Sequence, residues 1–553
     1  MPQPVELLPA QGNATIKHIY HSPGESLSEK VIRSHDAAIV LIDAETALAT
    51  LKTLPAAALW QKLFREAATR GPVGSLHSHI TVDSVSTAIV FCKAEISAFE
   101  RLTQAARAWK AVSATSPRRL LIATAGLDAA RAGAAIEAVV AAALAGSARM
   151  PVIKSKPVHL PTLEAISVCC DGATAGTVDR TIDLGRTVAI DHGNHLARWL
   201  SCLPPNILNS GNYRRAIGTL AKANGWNLAF FDERSLQKLG AGAFLAVSRA
   251  NDHRDAGIIR LRYKARNRRT VRGHLALIGK GICFDTGGIN LKPHKSMYLM
   301  HEDMQGSAVA LGTLLAMTEL EAPYDIDCWL AITENETGAR AYRPQEVVTA
   351  VNGVTIQVAH SDAEGRMALA DTLALAARDK PELMLDFATL TGSCVTALTE
   401  RYSGAFSNRP EWRSQIEAAG TLSGERVWAF PMDDDFDGDL DSPIADVLQC
   451  TPDSKGDHIL AARFLNRFVP PEIPWIHIDL ASSNRAGGLA HIPTDFTGFG
   501  VRYAVQLLLG GGLIEAKPAK RLAAPTGLPS GRPAGLAPQR PAGLLSGRKL
   551  ATK

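Results

Sequence analysis

Short runs of branched apolar residues alternate with longer stretches of helical periodicity in the first part of the chain. Three runs have the length and composition of buried strands: AAIVLID (37–43), STAIVFC (86–92) and RLLIATA (119–125). Three stretches predict helices: AALWQKLFREAAT (57–69), ISAFERLTQAARAWKAV (96–112) and AARAGAAIEAVVAAALAG (129–146). This alternation predicts an α/β domain with a largely parallel sheet. It holds no dense cluster of Asp, His or Lys at ligand-like spacing, so we expect it to be structural or to serve assembly.

A second α/β pattern follows. Its predicted strands are HLALIGKG (274–281), IDCWLAIT (326–333), VTIQVAH (354–360), LMLDFATL (383–390) and WIHIDLA (475–481). Its predicted helices are YRRAIGTLAKA (213–223), SAVALGTLLAMTEL (307–320), LADTLALAARD (369–379) and FGVRYAVQLLL (499–509). The fold class is therefore α/β with two domains. We expect an N-terminal domain over 1–165, a linker over 166–184, a catalytic domain over 185–514 and a tail over 515–553.

Composition narrows the protein class. The 553 residues are 46% hydrophobic and 20% charged, which is typical of a soluble globular enzyme. Neither an uninterrupted apolar run of transmembrane length nor a secretory signal is evident, so we expect a cytoplasmic protein without membrane contact. The eight cysteines include no CxxC pair, which disfavours a disulfide scaffold or a cysteine zinc site.

The basic character of the chain comes from its tail. Eight of the basic residues lie after position 515 with no acidic residue among them. Subtracting these eight charges from the net charge of +5 leaves the rest of the chain near −3. The word RPAGL occurs at 532–536 and at 540–544 in a Pro/Gly/Ala/Arg-rich stretch without hydrophobic period, which predicts a disordered tail. A basic arm for an anionic partner is the less favoured alternative, and nucleic acid is not the expected partner.

Four carboxylates stand at predicted strand ends and helix starts of the second region: Asp285, Asp303, Asp362 and Glu364. If the chain is still extended after VTIQVAH, Asp362 and Glu364 point to the same side, together with Arg366. Such oxygens are the hard ligands that two divalent metals prefer. Taken singly, Asp303 is better explained as a helix N-cap, DAEGR as a turn into a helix and Lys280 as a solvated lysine. Their joint appearance favours the metal site.

With these residues the chain resembles the leucyl aminopeptidases, the cytosol aminopeptidase or M17 metallopeptidase family. The shared words are GKGICFDTGGINLKP (279–293), DMQGSA (303–308), ENETGARAYRP (334–344), SDAEGRMALAD (361–371), ATLTGS (388–393) and TGFGVR (497–502). The resemblance covers about 180–513. The N-terminal region matches only in size and α/β character; the family's domain there is macro-like, and its catalytic domain has a mixed sheet.

The resemblance implies two divalent metal ions, zinc or manganese, held by five ligands: Lys280, Asp285, Asp303, Asp362 and Glu364. A metal-bridging water or hydroxide would attack the peptide. As a ligand, Lys280 must be neutral, which burial and metal coordination favour. Four carboxylates then balance two divalent ions, leaving Lys292 and Arg366 as spare positive charges beside a tetrahedral anion. By resemblance, Lys292 polarises the scissile carbonyl and Arg366 holds a bicarbonate that shuttles the proton.

The implied function is removal of the N-terminal residue from peptides with a free α-amine. Four residues align with positions that line the side-chain pocket or hold the substrate backbone: Met300, Thr389, Leu390 and Gly392. Their apolar character favours leucine or another bulky apolar residue, with broad preference. The family assembles as a homohexamer. A different reading is a non-catalytic or moonlighting hexameric scaffold or DNA-binding protein on the same fold, which the intact set of charged residues disfavours.

The chain departs from the family pattern at three places. His360 and Ser361 stand where Asn-Thr is common before DAEGR, and His301 and Gln305 replace a lysine and a glycine around Asp303. None removes a ligand or a catalytic charge. They affect the expected pocket shape, metal preference and pH optimum, because histidines ordinarily titrate near neutrality.

Overall fold

The fold was obtained as a computed structural model. The structure describes residues 6–10, 14–20, 27–69, 77–82, 84–157, 162–170, 182–453, 455–510 and 513. The predicted tail over 515–553 and its repeats lie outside the described residues. The eight cysteines are all free, and seven of them are buried.

The first sheet has six strands in the order β1-β6-β5-β2-β4-β3, all parallel except for the antiparallel β3–β4 pair. Its strands are β1 (Thr15–Tyr20), β2 (Ala37–Asp43), β3 (His77–Val82), β4 (Val85–Cys92), β5 (Arg119–Ala125) and β6 (Ala165–Cys170). The helices of this part are α1 (Glu29–Arg33), α2 (Ala47–Leu51), α3 (Ala57–Ala68), α4 (Ala98–Ser113) and α5 (Ala129–Ser147). The predicted strands and helices of this region are confirmed. Strand β6 shows that the sheet continues into the segment expected to be a linker, and the domain boundaries stay a prediction.

Strand β2 explains why this sheet is covered on both faces. All seven of its residues are buried, and alternate residues enter different cores. Ile39 and Leu41 pack with α4 and α5, whereas Val40 and Ile42 pack with α2 and α3. A strand buried on both sides is the pattern that parallel sheets require.

Helix α5 is long and apolar enough to cross a membrane by length and composition alone. Most of it is buried inside the structure, where it packs against α4 and the first sheet. A largely buried core helix of a folded domain has these same properties.

The second sheet has eight strands in the order β15-β14-β17-β13-β9-β10-β8-β7. Its strands are β7 (Asn227–Asp232), β8 (Gly257–Tyr263), β9 (Gly273–Asp285), β10 (Tyr324–Asn335), β13 (Leu383–Ala388), β14 (Ser403–Ser407), β15 (Val427–Ala429) and β17 (Trp475–Asp479). The four central strands, β17, β13, β9 and β10, are parallel, and antiparallel pairs begin at β14 and β8. This confirms the mixed sheet. A separate small sheet holds β11 (Val347–Thr349), β12 (Thr355–Gln357) and β16 (Val447–Leu448).

Helices cover both faces of the second sheet. They are α6 (Leu184–Cys202), α7 (Ser210–Asn224), α8 (Glu233–Leu239), α9 (Gly242–Ser248), α10 (His294–Met297), α11 (Gln305–Glu319), α12 (Glu364–Ala377), α13 (Gly392–Leu398), α14 (Arg413–Ser423), α15 (Asp457–Asn466) and α16 (Val501–Gly510). Four 3₁₀ turns complete this part: Met300–Glu302, Thr399–Arg401, Pro410–Trp412 and Asp434–Leu440. One core contains α6, α11 and α16, and the other contains α9, α12 and α15.

One predicted strand is misplaced. The run VTIQVAH forms a strand only over β12, which belongs to the small sheet rather than to the central one. Gln449 explains where the strand ends, because its side-chain oxygen accepts hydrogen bonds from the backbone of Ala359 (3.0 Å) and His360 (3.0 Å). These amides are therefore not available to a neighbouring strand.

We predict that Asp327→Asn destabilises the protein at neutral pH. Asp327 is buried in β10 and binds the guanidinium of Arg262 on β8 through two hydrogen bonds of 2.7 and 2.8 Å. Burial alone would raise the pKa of Asp327, but the hydrogen bonds from His274 and Arg262 hold this pKa below its ordinary value. Losing the charge while Arg262 stays partly buried should cost about 1–3 kcal/mol.

The pH dependence gives this prediction its check. A carboxyl group with a lowered pKa stabilises the fold above the pKa of the unfolded chain and loses that effect as the pH falls. The stabilities of wild type and variant in urea should therefore differ most near pH 7, and the difference should begin to shrink below about pH 4 and continue to shrink as the pH falls further. A difference that grows on acidification would contradict the assignment.

Candidate functional site

Lys280 and Asp285 come from the carboxyl half of β9, where the helix α11 approaches the sheet very closely. A Cβ on Gly279 would lie 2.4 Å from Ser307 Cα, and one on Gly281 would lie 2.9 Å from Ser307 Oγ. The glycines on either side of Lys280 thus allow the start of α11 to pack directly on the strand. The Lys280 side chain points to the opposite face of the strand, where it is almost fully buried against the start of α12.

A tight turn returns the chain from Asp285 to Lys292. Gly287 and Gly288 have φ angles of +84° and +65°, which residues with a side chain rarely adopt. The backbone N–H of Lys292 donates to the carbonyl of Thr286 at 2.9 Å, closing the turn. The Lys292 Nζ then lies 2.9 Å from Asp285 Oδ2 and 2.5 Å from Asp362 Oδ1.

Asp303 is not a helix cap. It follows the 3₁₀ turn Met300–Glu302, and the residue at the N-cap position of α11 is Met304. Its Oδ1 instead accepts a hydrogen bond from Thr389 Oγ1 (2.7 Å) and lies 2.8 Å from Lys280 Nζ. The capping alternative for Asp303 is therefore wrong.

Asp362 and Glu364 do not lie on an extended strand. The prediction that their side chains point to the same side assumed an extended chain and is wrong for that reason. The chain makes a turn at Ser361 and Asp362, and Glu364 is the first residue of α12. Buried Ser361 fixes this turn, because its Oγ donates to the Gly287 carbonyl at 2.6 Å and its backbone N–H donates to Asn290 Oδ1 at 2.9 Å. Both carboxylates still reach the cluster, one from the turn and one from the helix start.

The result is a cluster of four carboxylates and two lysines, of which Lys280, Asp285, Asp303 and Glu364 are buried and Asp362 and Lys292 are partly exposed. Lys280 Nζ lies 2.8 Å from Asp303 Oδ1 and 3.0 Å from Glu364 Oε1, and it donates to the carbonyl of Thr389 at 2.8 Å. Lys292 pairs with the other two carboxylates, as given above. Each ammonium group thus joins two carboxylates that would otherwise repel each other.

Burial and the charges of neighbouring side chains together set the pKa values of the cluster. Burial raises the pKa of Asp285 to about 6, with a further contribution from the Glu364 carboxylate, and it raises the pKa of Asp303 and Asp362 as well. Burial also opposes the charge on Glu364, but Lys280 and Lys292 hold the pKa of this residue below its usual value. Conversely, burial opposes the lysine charges, yet the carboxylates raise the pKa of both lysines.

The donor set fits divalent cations. Oxygens of Asp285, Asp303 and Glu364 lie within 4.8 Å of one another, and all three residues are buried. Among the described residues, Asp303 Oδ2 and Glu364 Oε2 are buried without a hydrogen-bond partner. Buried carboxylate oxygens without a donor are costly unless a cation binds them, so the cluster has both the charge and the free lone pairs of a metal site.

Arg366 lies two residues after Glu364 in α12 and is 2% exposed. Its Nη2 donates to both carboxylate oxygens of Asp457, each at 2.8 Å, and its Nη1 donates to the carbonyl of Gln449 at 3.1 Å. The sequence pattern identified the arginine but not its carboxylate partner.

The four residues expected at the substrate lie around the cluster. Thr389 contacts it directly, through the hydrogen bonds to Asp303 and Lys280. The Leu390 N–H donates to Asp479 Oδ1 at 3.1 Å, and Gly392 begins α13 with no atom within 4 Å of an added Cβ. Met300, partly buried, opens the 3₁₀ turn that precedes Asp303. Their roles toward a substrate stay predictions.

Sequence reasoning missed several residues that position the site. Asn335 Nδ2 donates to Asp285 Oδ1 at 2.8 Å and to the Ser361 carbonyl at 3.1 Å. The Tyr342 hydroxyl donates to the same carbonyl at 2.7 Å. Both lie in the recognised word ENETGARAYRP, so that word was a usable signal. Gln449 and Asp457 lie in no recognised word and had no comparable signal.

The residues that depart from the family pattern occupy different environments. His301 packs edge-on against Phe496, with ring centroids 5.6 Å apart, and burial lowers its pKa. Gln305 is buried, and its Nε2 donates to Glu302 at 3.3 Å. His360 is exposed, and its Nδ1 accepts from the Asp362 N–H at 3.2 Å. None of the three occupies a position within the carboxylate–lysine cluster.

The known proteins that match this chain are described as aminopeptidases. A probable cytosol aminopeptidase of Stutzerimonas stutzeri is 40% identical over 336 residues, which cover 61% of this chain and 66% of that protein. One from a Sulfurihydrogenibium species is 37% identical over 307 residues, covering 55% and 60%. The matched region thus spans just under two thirds of these relatives' length. A solved structure of a tomato leucine aminopeptidase mutant superposes with a TM-score of 0.74 at 25% identity, covering 91% of this chain and 98% of that one.

The family profile described as "Cytosol aminopeptidase family, catalytic domain" matches residues 195–505, more than half of the chain, and this range contains every residue of the carboxylate–lysine cluster. The chain belongs to the cytosol aminopeptidase family.

Proposed function

We propose that this protein is a two-metal aminopeptidase that removes the N-terminal residue, preferably leucine or another bulky apolar residue, from peptides. The observation that carries the proposal is the buried cluster in which Asp285, Asp303 and Glu364 bring their oxygens within 4.8 Å of one another. Membership of the cytosol aminopeptidase family supports it. A buried acidic cluster without such a role would be destabilising, because the carboxylates repel one another and lose their hydration.

Five residues would hold two divalent ions, zinc or manganese: Lys280, Asp285, Asp303, Asp362 and Glu364. When bound, the ions would supply Lewis acidity, a lower pKa for a bound water and an anchor for the free α-amine of the peptide. The lysine ligand must be neutral to donate its lone pair, so ion binding competes with the Lys280–carboxylate pairs of the metal-free protein.

Lys292 is the group we assign to the scissile carbonyl. It stands on the Gly287–Gly288 turn beside Asp285 and Asp362, and its side chain is less enclosed than that of Lys280. Hydrolysis develops negative charge on the carbonyl oxygen, and a fixed ammonium group stabilises that charge in a water-poor site. The bicarbonate expected at Arg366 stays a prediction, and Asp457 now competes with it for the same guanidinium.

The substrate side chain would lie near Met300, Thr389, Leu390 and Gly392. Gly392 is exposed and leaves room for a substrate, and the apolar side chains of Met300 and Leu390 favour an apolar residue. Assembly as a homohexamer and a cytoplasmic location remain expectations from the family. The scaffold or DNA-binding alternative gains no support from any contact of the described residues.

We predict that Glu364→Ala and Lys292→Ala each abolish hydrolysis of leucine amides while leaving the fold intact. Removing Lys292 should lower kcat by about 10²–10³-fold, because it deletes the main stabiliser of the developing negative charge. The matched control is Lys295→Ala, an exposed lysine three residues further on. Steady-state kinetics and circular dichroism give the result, and turnover like that of wild type in either variant would refute the mechanism.

Metal removal is expected to inactivate the protein without unfolding it. The two lysines remain to pair the four carboxylates when no divalent ion is bound, so the cluster keeps partial charge balance. Dialysis against a chelator should eliminate activity, and zinc, manganese or cobalt added back should restore it to different degrees. Thermal unfolding before and after chelation separates loss of a ligand from loss of the fold.

We predict that Gly365→Ala lowers metal affinity and activity. Alanine normally stabilises a helix relative to glycine, but a Cβ here would lie 2.5 Å from Lys280 Cε and 2.6 Å from its Nζ. Lys280 is enclosed and cannot move aside without leaving Asp303 and Glu364. A displacement of about 1 Å in a catalytic site costs about a hundredfold in rate.

The matched control for that variant is Gly218→Ala in α7, where an added Cβ meets no atom within 4 Å. This variant should gain about 0.5–1 kcal/mol of stability and keep its activity. Calorimetric metal titration distinguishes the two variants. Equal metal affinity in Gly365→Ala and wild type would remove Lys280 from the proposed ligand set.

A further inference from the structure

The ion pair between Arg366 and Asp457 is the most unusual contact beside the cluster. The arginine is on the same helix turn as the proposed ligand Glu364 and is buried, whereas the Asp457 side chain is 20% exposed. Both carboxylate oxygens meet one guanidinium nitrogen at 2.8 Å. The arginine of the ion pair is thus enclosed by protein, whereas the carboxylate is partly open to solvent.

Asp457 is held in place independently of the arginine. It is the first residue of α15, directly after Gly456, whose φ of +61° sets the entry into the helix. The next residue, His458, donates its backbone N–H to Ser393 Oγ at 2.8 Å, and its ring lies 4.5 Å from the Phe430 ring. Ser393 belongs to the segment ATLTGS, which also carries Thr389. The backbone next to Asp457 is therefore fixed to the loop that borders the cluster.

The guanidinium is enclosed, and three of its five N–H donors already have a partner. Its Nη1 is bound to the Gln449 carbonyl and its Nη2 to Asp457. Nε is buried and has no hydrogen-bond partner within the described part of the chain. An added anion would have to displace Asp457 or approach it against like-charge repulsion.

Mass action favours the carboxylate that is part of the chain. A tethered group acts at an effective concentration in the millimolar range or above, and a rigid one loses little further entropy on binding. A free anion must exceed that concentration, or bind more tightly, to replace it. The charge count is unchanged, because Asp457 contributes the same single negative charge that a bicarbonate would.

We propose that Asp457 supplies, from within the chain, the carboxylate that sits on Arg366, so that peptide hydrolysis needs no bicarbonate or other added anion. In that place the Asp457 carboxylate would accept the proton of the attacking water and return it to the leaving amine, which is the role that the resemblance gives to bicarbonate. The inference rests on the proposed aminopeptidase function for its kinetic consequence. Its structural consequence, a guanidinium closed to small anions, holds whether or not the protein hydrolyses peptides.

The test compares Asp457→Ala, Asp457→Asn and wild type, loaded with metal, in buffer freed of carbon dioxide. Wild type should hydrolyse leucine amide at the same rate with and without added sodium bicarbonate. Asp457→Ala should lose roughly tenfold to a hundredfold in kcat and recover with bicarbonate or formate in a saturable manner. Asp457→Asn should lose activity without recovery, because the amide fills the space and carries no charge.

Asp453→Asn is the matched control. It removes an exposed carboxylate of the same segment, paired only with the exposed Lys455 among the described residues, and should leave both the rate and the bicarbonate response unchanged. Rescue of the alanine variant by an anion is a result that a purely structural role of Asp457 does not produce. Should the alanine variant misfold, the asparagine variant still tests whether the charge is needed.

Line broadening of ¹³C-labelled bicarbonate in the presence of zinc-loaded protein gives a readout without turnover. The Asp457→Ala variant should bind bicarbonate, and wild type should not. Wild type that is activated several-fold by bicarbonate, or an alanine variant indifferent to it, would overturn the inference. If no variant hydrolyses peptides with any metal, the aminopeptidase proposal fails, while the binding experiment still decides the role of Asp457.

Discussion

Four carboxylates share one buried space, and their mutual repulsion is the constraint that shapes the rest of the site. Without cations, the burial of Asp285, Asp303, Asp362 and Glu364 would be opposed by both desolvation and Coulomb repulsion. The protein meets this cost with two ammonium groups, each placed between two carboxylates. Every other feature of the region serves to bring those six side chains together and to keep water out.

The scaffold achieves this through close backbone approach. Gly306, at the start of α11, would place a Cβ 2.1 Å from the carbonyl oxygen of Phe387 on β13, as Gly279 would against α11. The helix start is therefore pressed against two adjacent parallel strands at their carboxyl ends, where α/β sheets generally place their sites. Asp303 and Lys280 meet across this contact. A side chain on any of these glycines would push the helix start away from the strands and separate the side chains of the cluster.

Sequence reasoning succeeded where the signal was local and failed where it depended on distant partners. The central strands were predictable because runs such as AAIVLID and IDCWLAIT are buried on both faces and are therefore continuously apolar. The candidate residues were found through the spacing of the motifs. The strand VTIQVAH was overextended, because its end is set by Gln449, some ninety residues away. The sequence position of Asp303 suggested a helix N-cap, because its actual partners, Lys280 and Thr389, are distant in the sequence. Asp457 could not be predicted as the partner of Arg366, because no motif near it in the sequence indicates that contact.

A second layer of charge lies beneath the loop that carries Thr389. Asp479 accepts hydrogen bonds from the Leu390 N–H and from Thr391 Oγ1, at 3.1 and 2.6 Å. Behind it, Asp386 accepts from the Trp475 indole and pairs with the buried His477, each at 2.6 Å. Leu390 and Thr391 are thus fixed by interactions that do not involve the cluster. The position of Leu390 accordingly need not change when the charges of the cluster do, whereas Thr389 is bound to Asp303 and Lys280.

Lysines 280 and 292 differ in how tightly the protein encloses them. Lys280 has no room to move, being 3% exposed and also bound to the Thr389 carbonyl, which fits the ligand role that we propose for it. Lys292 is 15% exposed and follows a turn built on two glycines, so its side chain has more freedom to turn toward a substrate. The two lysines therefore suit the two roles that we propose for them, one held among the carboxylates and the other reaching the scissile carbonyl.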